Sequence, residues 1–280
     1  VCPEKEIGLG VPRDPIRIGK KDDDKLHLVQ PATGKELTEK MRSFADTFLS
    51  GVKDIDGFIM KNRSPSCGIH DVKIYHHLDK PANAERGKGF FGGAVSDHFP
   101  YAAVEDEGRL KNFSLREHFL TMLFTYARFR LITKNLDMKN LVDFHSRHKY
   151  LFLAYNETAM RECGRIVANQ DHNPAEDVYA QYREKMSEIL KHFPKYTTFI
   201  NTILHAFGGI SDQLSREEKK FFLETVEEYR DERIPLSAVT HLLQSYAVRF
   251  DNSYLKNQVF LNPFPKTLIE ITDSGKGRSG

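Results

Sequence analysis

The stretch from Lys35 to Gly68, KELTEKMRSFADTFLSGVKDIDGFIMKNRSPSCG, decides how the first part of the chain is read. Met41, Phe44, Ala45, Phe48, Leu49 and Val52 recur at the helical period and make one apolar face. Thr38 stands where an N-cap is expected, since its hydroxyl could take an exposed amide of the first turn. Asp54 to Gly57 break the pattern, and Phe58-Ile59-Met60 then reads as a short, buried strand. KNRSPSCG therefore begins just past a strand's carboxyl end, the edge at which open α/β sheets bind ligands. Cys67 sits there between small residues and a proline, in sequence unlike a core.

Working outward, a second cysteine stands in VCPEKEIGLGVPR, again in a Pro/Gly-rich loop. Downstream, GKGFFGGAV (Gly87 to Val95) predicts a loop or a close backbone approach before another short element. From about Asp106 the pattern turns helical. Ser114 to Glu117 and Ser215 to Glu218 both read as capping boxes, in which serine and glutamate satisfy each other's amides. Leu115, Phe119, Met122, Leu123, Tyr126 and Phe129 supply an apolar stripe after the first of them. The expected fold is an α/β N-terminal domain, a Rossmann-like open sheet incomplete at its N-terminus, followed by an all-α C-terminal domain. The expected boundaries are 1–104 and 105–271, with 272–280 a flexible tail. There is no internal repeat.

The composition excludes some classes. In 280 residues no apolar run approaches the roughly 20 needed to cross a bilayer, so no membrane partner is expected. No signal-peptide pattern opens the chain. Three cysteines, Cys2, Cys67 and Cys163, are too few for a disulfide scaffold and point to a reducing, cytoplasmic setting. Loop cysteines there are more often metal-binding or catalytic than bridged. A net charge of +2 says nothing by itself about partners.

Cys2-Pro3-Glu4, followed by Gly8 to Gly10 and Pro12-Arg13, and then Ser64-Pro65-Ser66-Cys67-Gly68, together resemble the bacterial thiouracil desulfidase family. EDEGRL (Glu105 to Leu110), LVDFHSRHKYLFLAYN (Leu141 to Asn156) and YLKNQVFLNPFP are similar to the branch in which that domain is fused to a helical one. The resemblance covers nearly the whole chain. It implies a [4Fe-4S] cluster ligated by three cysteines, with one open iron. Cys2 and Cys67 match two of those ligands, and the third is expected upstream of Val1. It further implies non-redox removal of sulfur from 4-thiouridine in tRNA, leaving uridine. An open iron can act as a Lewis acid toward soft thiocarbonyl sulfur, while water adds at carbon and sulfur leaves as hydrosulfide.

Such chemistry needs a base, and Glu4 is the carboxylate nearest to Cys2. Glu4 reads equally well as an ion-pair partner of Arg13. Ser64 and Ser66 could donate hydrogen bonds to substrate or to cluster sulfides, or could simply shape a turn. Lys61 and Arg63 could meet a phosphate or be solvated. Cys163, mid-helix in AMRECGRIVA, reads as a packed thiol and not as the third ligand.

In the helical half, Arg128, Arg130, Lys134, Lys139, Arg147 and Lys149 alternate with Tyr126, Phe129, His145, His148 and Tyr150. Basic groups among aromatics are the footprint of RNA contact. The same residues also suit a solvated face over an apolar stripe. His145 and His148 share a helix face but have no third ligand, so packing is the expectation. The candidate RNA-binding set is Arg128, Arg130, Lys134, Arg147 and Lys149. The partners expected are tRNA or a thiolated nucleobase. Two rivals stand beside the leading reading: a desulfidase of free thiouracil or thiouridine, and a non-catalytic RNA-binding or regulatory protein whose cysteines hold zinc or nothing. Closed zinc sites take four ligands, which the cysteine count does not supply.

Overall fold

A computed structural model describes residues 1–21, 25–77 and 83–269. The expected tail at 272–280 lies outside them. The chain divides into two compact units, 1–126 and 127–269, with the division falling inside one long helix.

The first unit is α/β. It opens with the single-turn helix α1 (Pro3–Glu6) and continues through β1 (Arg17–Lys20), β2 (Leu26–Gln30) and β3 (Lys35–Glu36). Helix α2 (Thr38–Gly51) leads to β4 (Gly57–Met60), then β5 (Val72–Tyr75) and β6 (Ala84–Gly87). Helix α3 (Phe90–His98), β7 (Ala103–Asp106) and the start of α4 (Phe113–Ile132) complete it. Five strands form a mixed sheet in the order β3-β2-β1-β5-β6, while β4 and β7 pair separately. The β4–β7 pair is parallel, with Met60 opposite Asp106, so both strands deliver their following loops to the same edge.

The core of this unit is the predicted apolar face. Met41, Ala45 and Leu49 of α2 are buried against Ile18, Leu28, Val72 and Val95, and Phe44 and Phe48 pack on its margin. Burying each such large side chain contributes about 1.5–3 kcal/mol. Phe44 stacks with both Phe48 and Phe91, which ties α2 to α3. In β4, Met60 is buried but Ile59 is 63% exposed, because alternate strand residues point to opposite faces.

Two predicted caps go elsewhere. Leu37 occupies the N-cap of α2, and the Thr38 hydroxyl instead accepts from the buried Leu28 amide at 2.8 Å. A buried strand amide left unpaired costs more than a solvated helix end, so the hydroxyl goes to the strand. At α4 the Asn112 side chain accepts from the Leu115 amide at 3.1 Å. The helix has thus begun before Ser114 reaches a capping position. Glu117 is then left half-buried, and that burial pushes its carboxyl up to about 7.

The second unit is all helical: the end of α4, then α5 (Met138–Tyr155), α6 (Glu157–Ala168), α7 (Ala175–Leu190), α8 (Tyr196–Gly208), α9 (Arg216–Arg230), α10 (Leu236–Arg249) and α11 (Ser253–Lys256). Ser215 and Glu218 form the reciprocal capping box expected at the start of α9. The core centres on Phe152, Tyr182, Met186, Phe222 and Leu243, and Phe207 stacks face to face on Phe222 at 4.1 Å. An α/β region followed by an all-α region is the architecture the sequence predicts. Among the described residues no helix is long and apolar enough to cross a membrane.

Candidate active site at the two cysteine loops

The site starts from the short helix α1. Cys2 is its N-cap and Pro3 its first residue, where proline's fixed φ and missing N–H are tolerated. Glu4 follows one residue later. The chain then turns through Gly8 and Gly10, at φ +90° and +68°, a region other residues enter at a cost. The turns bring Arg13 back over the helix. Its Nε donates to Glu4 Oε2 at 2.5 Å, and its Nη2 lies 3.5 Å from Cys2 Sγ. A third contact, to the Gly10 carbonyl at 3.1 Å, fixes the guanidinium.

The other wall is the loop after β4. Ser64 Oγ accepts from the amides of Ser66 and Cys67 at 3.3 and 3.2 Å, a local turn that aims the thiol. The two serine hydroxyls are 2.9 Å apart. Ser66 Oγ donates to Glu4 Oε1 at 2.6 Å, and Ser64 Oγ lies 3.3 Å from the same oxygen. Ser66 Oγ is also 3.6 Å from Cys67 Sγ. A single serine proton satisfies one acceptor at a time, so the consistent order runs Ser64 to Ser66 to Glu4. Glu4 is the hub: one carboxylate oxygen faces Arg13 and the other faces the serines.

Helix α3 closes the site from below. The amides of Gly89, Phe90, Phe91 and Gly92 donate to the carbonyls of Gly68, Pro65, Ser66 and Ser66 at 2.7, 3.2, 2.9 and 3.0 Å. The unpaired amides of a helix's first turn are thus satisfied by the cysteine loop itself. A Cβ on Gly89 would lie 2.5 Å from the Ser66 carbonyl oxygen, and one on Gly92 would lie 2.4 Å from that of Gly68. The glycines of GKGFFGGAV are there because two backbones touch.

Electrostatics follow the geometry. The hydrogen bond to Glu4 holds the Arg13 guanidinium firmly protonated, with burial opposing and both Glu4 and Cys2 adding to it. Burial pushes the Cys67 thiol up; Ser66 opposes this, and the charges of Glu4 and Cys2 reinforce it. Two thiols, a carboxylate, a guanidinium and two hydroxyls therefore form one continuous polar patch.

Residues 1–107 match the family described as 2-thiouracil desulfurase, and residues 149–265 match a protein family of unknown function, DUF1722. The chain thus carries a region similar to 2-thiouracil desulfurase followed by one similar to DUF1722. The uncharacterized protein YbgA of Escherichia coli (strain K12) is 26% identical over 147 residues, which cover 52% of this chain and 86% of YbgA. No solved structure matches significantly.

Within the first unit the structure gathers Cys2, Glu4, Ser64, Ser66 and Cys67, all named from sequence, and pairs Glu4 with Arg13 as its alternative reading had it. Lys61 pairs with Glu107 at 2.5 Å. His70, Glu105 and Asp106 bring ligand-type atoms within 4.8 Å of one another. Glu105 is already engaged, its Oε1 taking Arg109 Nε at 2.9 Å, and Asp106 Oδ2 lies 2.9 Å from His70 Nε2.

In the helical unit, Cys163 is fully buried and its thiol is pushed up to about 12 by that burial. His148 is buried and donates to the Phe144 carbonyl, and His145 meets the Tyr182 hydroxyl at 3.1 Å, so both pack as expected. The basic residues diverge. Arg128 is half-buried and donates to the Pro263 carbonyl at 2.8 Å, and Arg147 pairs with Asp143 at 2.9 Å. Arg130 is half-buried, while Lys134 and Lys149 are exposed. Arg147 also lines a cleft of about 220 Å³ with Ser146, Ser253, Tyr254 and Asn257.

Proposed function

We propose that this protein hydrolytically removes sulfur from a thiolated pyrimidine, and that its substrate is 4-thiouridine in tRNA, which becomes uridine. The observation that carries the reading is the hydrogen-bonded patch in which Cys2, Arg13, Glu4, Ser66, Ser64 and Cys67 meet. The reaction exchanges C=S for C=O with water as co-substrate and hydrosulfide as product, so no electrons change hands.

The donor chemistry fits an iron-sulfur cluster. Cys2 and Cys67 are soft ligands, and the Cys2 charge adds to the cost of ionising Cys67. A Cβ on Gly8 or Gly10 would meet nothing within 4 Å, so the loop beside Cys2 leaves open space. Cys2 and Cys67 would hold a [4Fe-4S] cluster, which supplies an iron able to accept soft sulfur as a Lewis acid when its fourth ligand is not protein. The remaining groups belong to the chain. Glu4 accepts the proton of the attacking water, within reach of the serine relay. Ser66 and Ser64 carry hydrogen bonds between that carboxylate and the Cys67 side. Arg13 orients Glu4 toward Cys2.

The substrate class rests on the helical half. Exposed Lys134 and Lys149 offer contacts to phosphate, and the cleft beside Arg147 and Tyr254 offers a guanidinium, hydroxyls and an aromatic face to a nucleotide. A second reading, desulfuration of free thiouracil, is favoured by one fact: Arg128 and Arg147 already have partners within the fold.

The test is anaerobic reconstitution of the full-length protein with iron and sulfide, followed by thiolated tRNA or free 2-thiouracil. Loss of 4-thiouridine absorbance with hydrosulfide release supports the tRNA reading. Turnover of the free base alone replaces it with the second, and hydrosulfide from neither substrate overturns both.

A further inference from the structure

We propose that the turn Glu105–Arg109, at the end of β7, is a clamp that holds the Cys67 loop at both ends, with Asp106 and Glu107 as positioning residues for the site. The inference deepens the desulfurase reading and rests on it.

The parallel register of β4 and β7 sets the geometry. Because Met60 pairs with Asp106, the chain leaving β4 and the chain leaving β7 start side by side. The incoming arm of the cysteine loop is gripped first. Glu107 Oε2 accepts from the Asn62 amide at 2.7 Å, and the Glu107 amide donates to the Met60 carbonyl at 3.1 Å. Gly108 presses on the same arm, where a Cβ would lie 2.5 Å from Asn62 Nδ2. Burial alone would raise the Glu107 carboxyl, but Lys61 and the Asn62 amide outweigh it and hold the group below the usual carboxylate range.

The outgoing arm is gripped at His70, three residues past Cys67. Its Nε2 lies 2.9 Å from Oδ2 of Asp106, a carboxylate only 1% exposed, in close contact but without the alignment of a hydrogen bond. Asp106 Oδ1 is itself fixed by the Arg109 amide at 2.8 Å, and Glu105 Oε1 by the Asp106 amide and Arg109 Nε, each at 2.9 Å. The turn is therefore rigid before it meets the loop.

Between the two grips the loop carries local strain. Arg63 has φ +55°, a left-handed conformation that a side-chain-bearing residue holds only when its surroundings insist. Asn62, held by Glu107, stands immediately before it, and Ser64, which aims the Cys67 amide, stands immediately after. Lys61–Glu107 is an exposed pair and adds little. The positioning comes from the Asn62–Glu107 bond and from buried Asp106.

Thiol modification tests this without added iron. Full-length parent, Glu107→Ala, Glu107→Gln and Asp106→Asn are treated with iodoacetamide, and Cys67 and Cys163 are followed separately by peptide mass spectrometry. Glu107→Ala is expected to speed Cys67 modification about tenfold, the change for losing one charge-assisted hydrogen bond, with Cys163 still protected. Glu107→Gln keeps an acceptor for Asn62 and restores the parent rate. Should Glu107→Ala not fold, Asp106→Asn tests the other grip with the same expectation. An unchanged Cys67 rate in Glu107→Ala and Asp106→Asn overturns the clamp. So does a Cys163 rate that rises in step, which marks general loosening. Hydrosulfide release from thiolated tRNA or 2-thiouracil by the reconstituted parent judges the desulfurase reading separately, so the two failures cannot be confused.

Discussion

Cys67 and Cys163 are the same side chain in two opposed settings. Cys67 lies in a loop, flanked by hydroxyls, a carboxylate and a second thiol, with a helix's first turn supporting the backbone beneath it. Cys163 lies on the buried face of α6 with Ala159, Met160 and Val167, and burial is the first cause of its high thiol pKa. Burial disfavours the thiolate at both, but only at Cys67 does a hydroxyl oppose it. A thiolate is what binds metal, so chemistry is available to one thiol and packing to the other.

Substitution breaks the pair apart most plainly. Cys67→Ala is expected to abolish hydrosulfide release from a thiolated substrate, since the loop then offers no sulfur. Cys163→Ala is expected to keep full activity and to lose about 1 kcal/mol in a denaturant titration. Equal losses of activity in both variants would erase the distinction.

The next effect sharpens what surrounds Cys67. Glu4→Gln preserves shape and the bond from Ser66 but removes the proton acceptor, and a rate lower by roughly a hundredfold or more is expected. Ser66→Ala leaves Arg13 on Glu4 and should cost about tenfold. If Ser66→Ala proved the more damaging, the serine would be the primary proton carrier and Glu4 its support. Steady-state rates on one substrate decide the order.

Much of this site was legible because its motifs are local. Cys2 with Glu4, and Ser64 with Ser66 and Cys67, each stand within a few residues of one another, so residue type and spacing suffice to pick them out. That the two groups share one carboxylate was not legible, since Glu4 and Ser66 are 62 positions apart and no periodicity links them. GKGFFGGAV did announce a close backbone approach, but that the amides of α3 meet the cysteine loop was not legible, for the same reason. Asp106 and Glu107 read only as part of a motif, because their partners lie more than thirty residues away. Thr38 and Ser114 failed as caps through competition: a strand amide took one hydroxyl, and Asn112 reached the helix end first. The α/β-to-helical change was readable throughout, because it rests on periodicity that packing then confirmed.

Polar groups buried or half-buried in helices supply the third comparison, through stability and not activity. Burial lowers His118 and His145 to about 4 and His148 to about 3. Unfolded histidine titrates near 6.5, so between that value and the folded ones the unfolded chain binds more protons. Stability from these groups is full above about pH 6.5 and is lost as pH falls. A melting temperature that drops steadily from pH 6.5 to 4 is expected, as stability falls by a few kcal/mol in all. His148→Asn, which keeps an amide donor for the Phe144 carbonyl, should flatten part of that slope. A parent curve flat over this range would mean the imidazoles are solvated.

Glu117 runs the other way and is the smallest effect. It contrasts with Glu4, whose two oxygens meet Arg13 and the serines. Burial raises Glu117 to about 7, and Arg116 only partly opposes it. The folded chain then holds a proton that the unfolded chain has released above about 4.5. Stability from this group is full below that pH, falls as pH rises, and stays low above 7. Glu117→Gln removes the titration, so it should match the parent near pH 4.5 and exceed it at pH 8 by about 1–3 kcal/mol. Denaturant midpoints at the two pH values check it. A gain at pH 4.5 as large as at pH 8 would show that shape, and not the buried charge, sets the difference. In that case the histidines alone would govern how stability follows pH in this window.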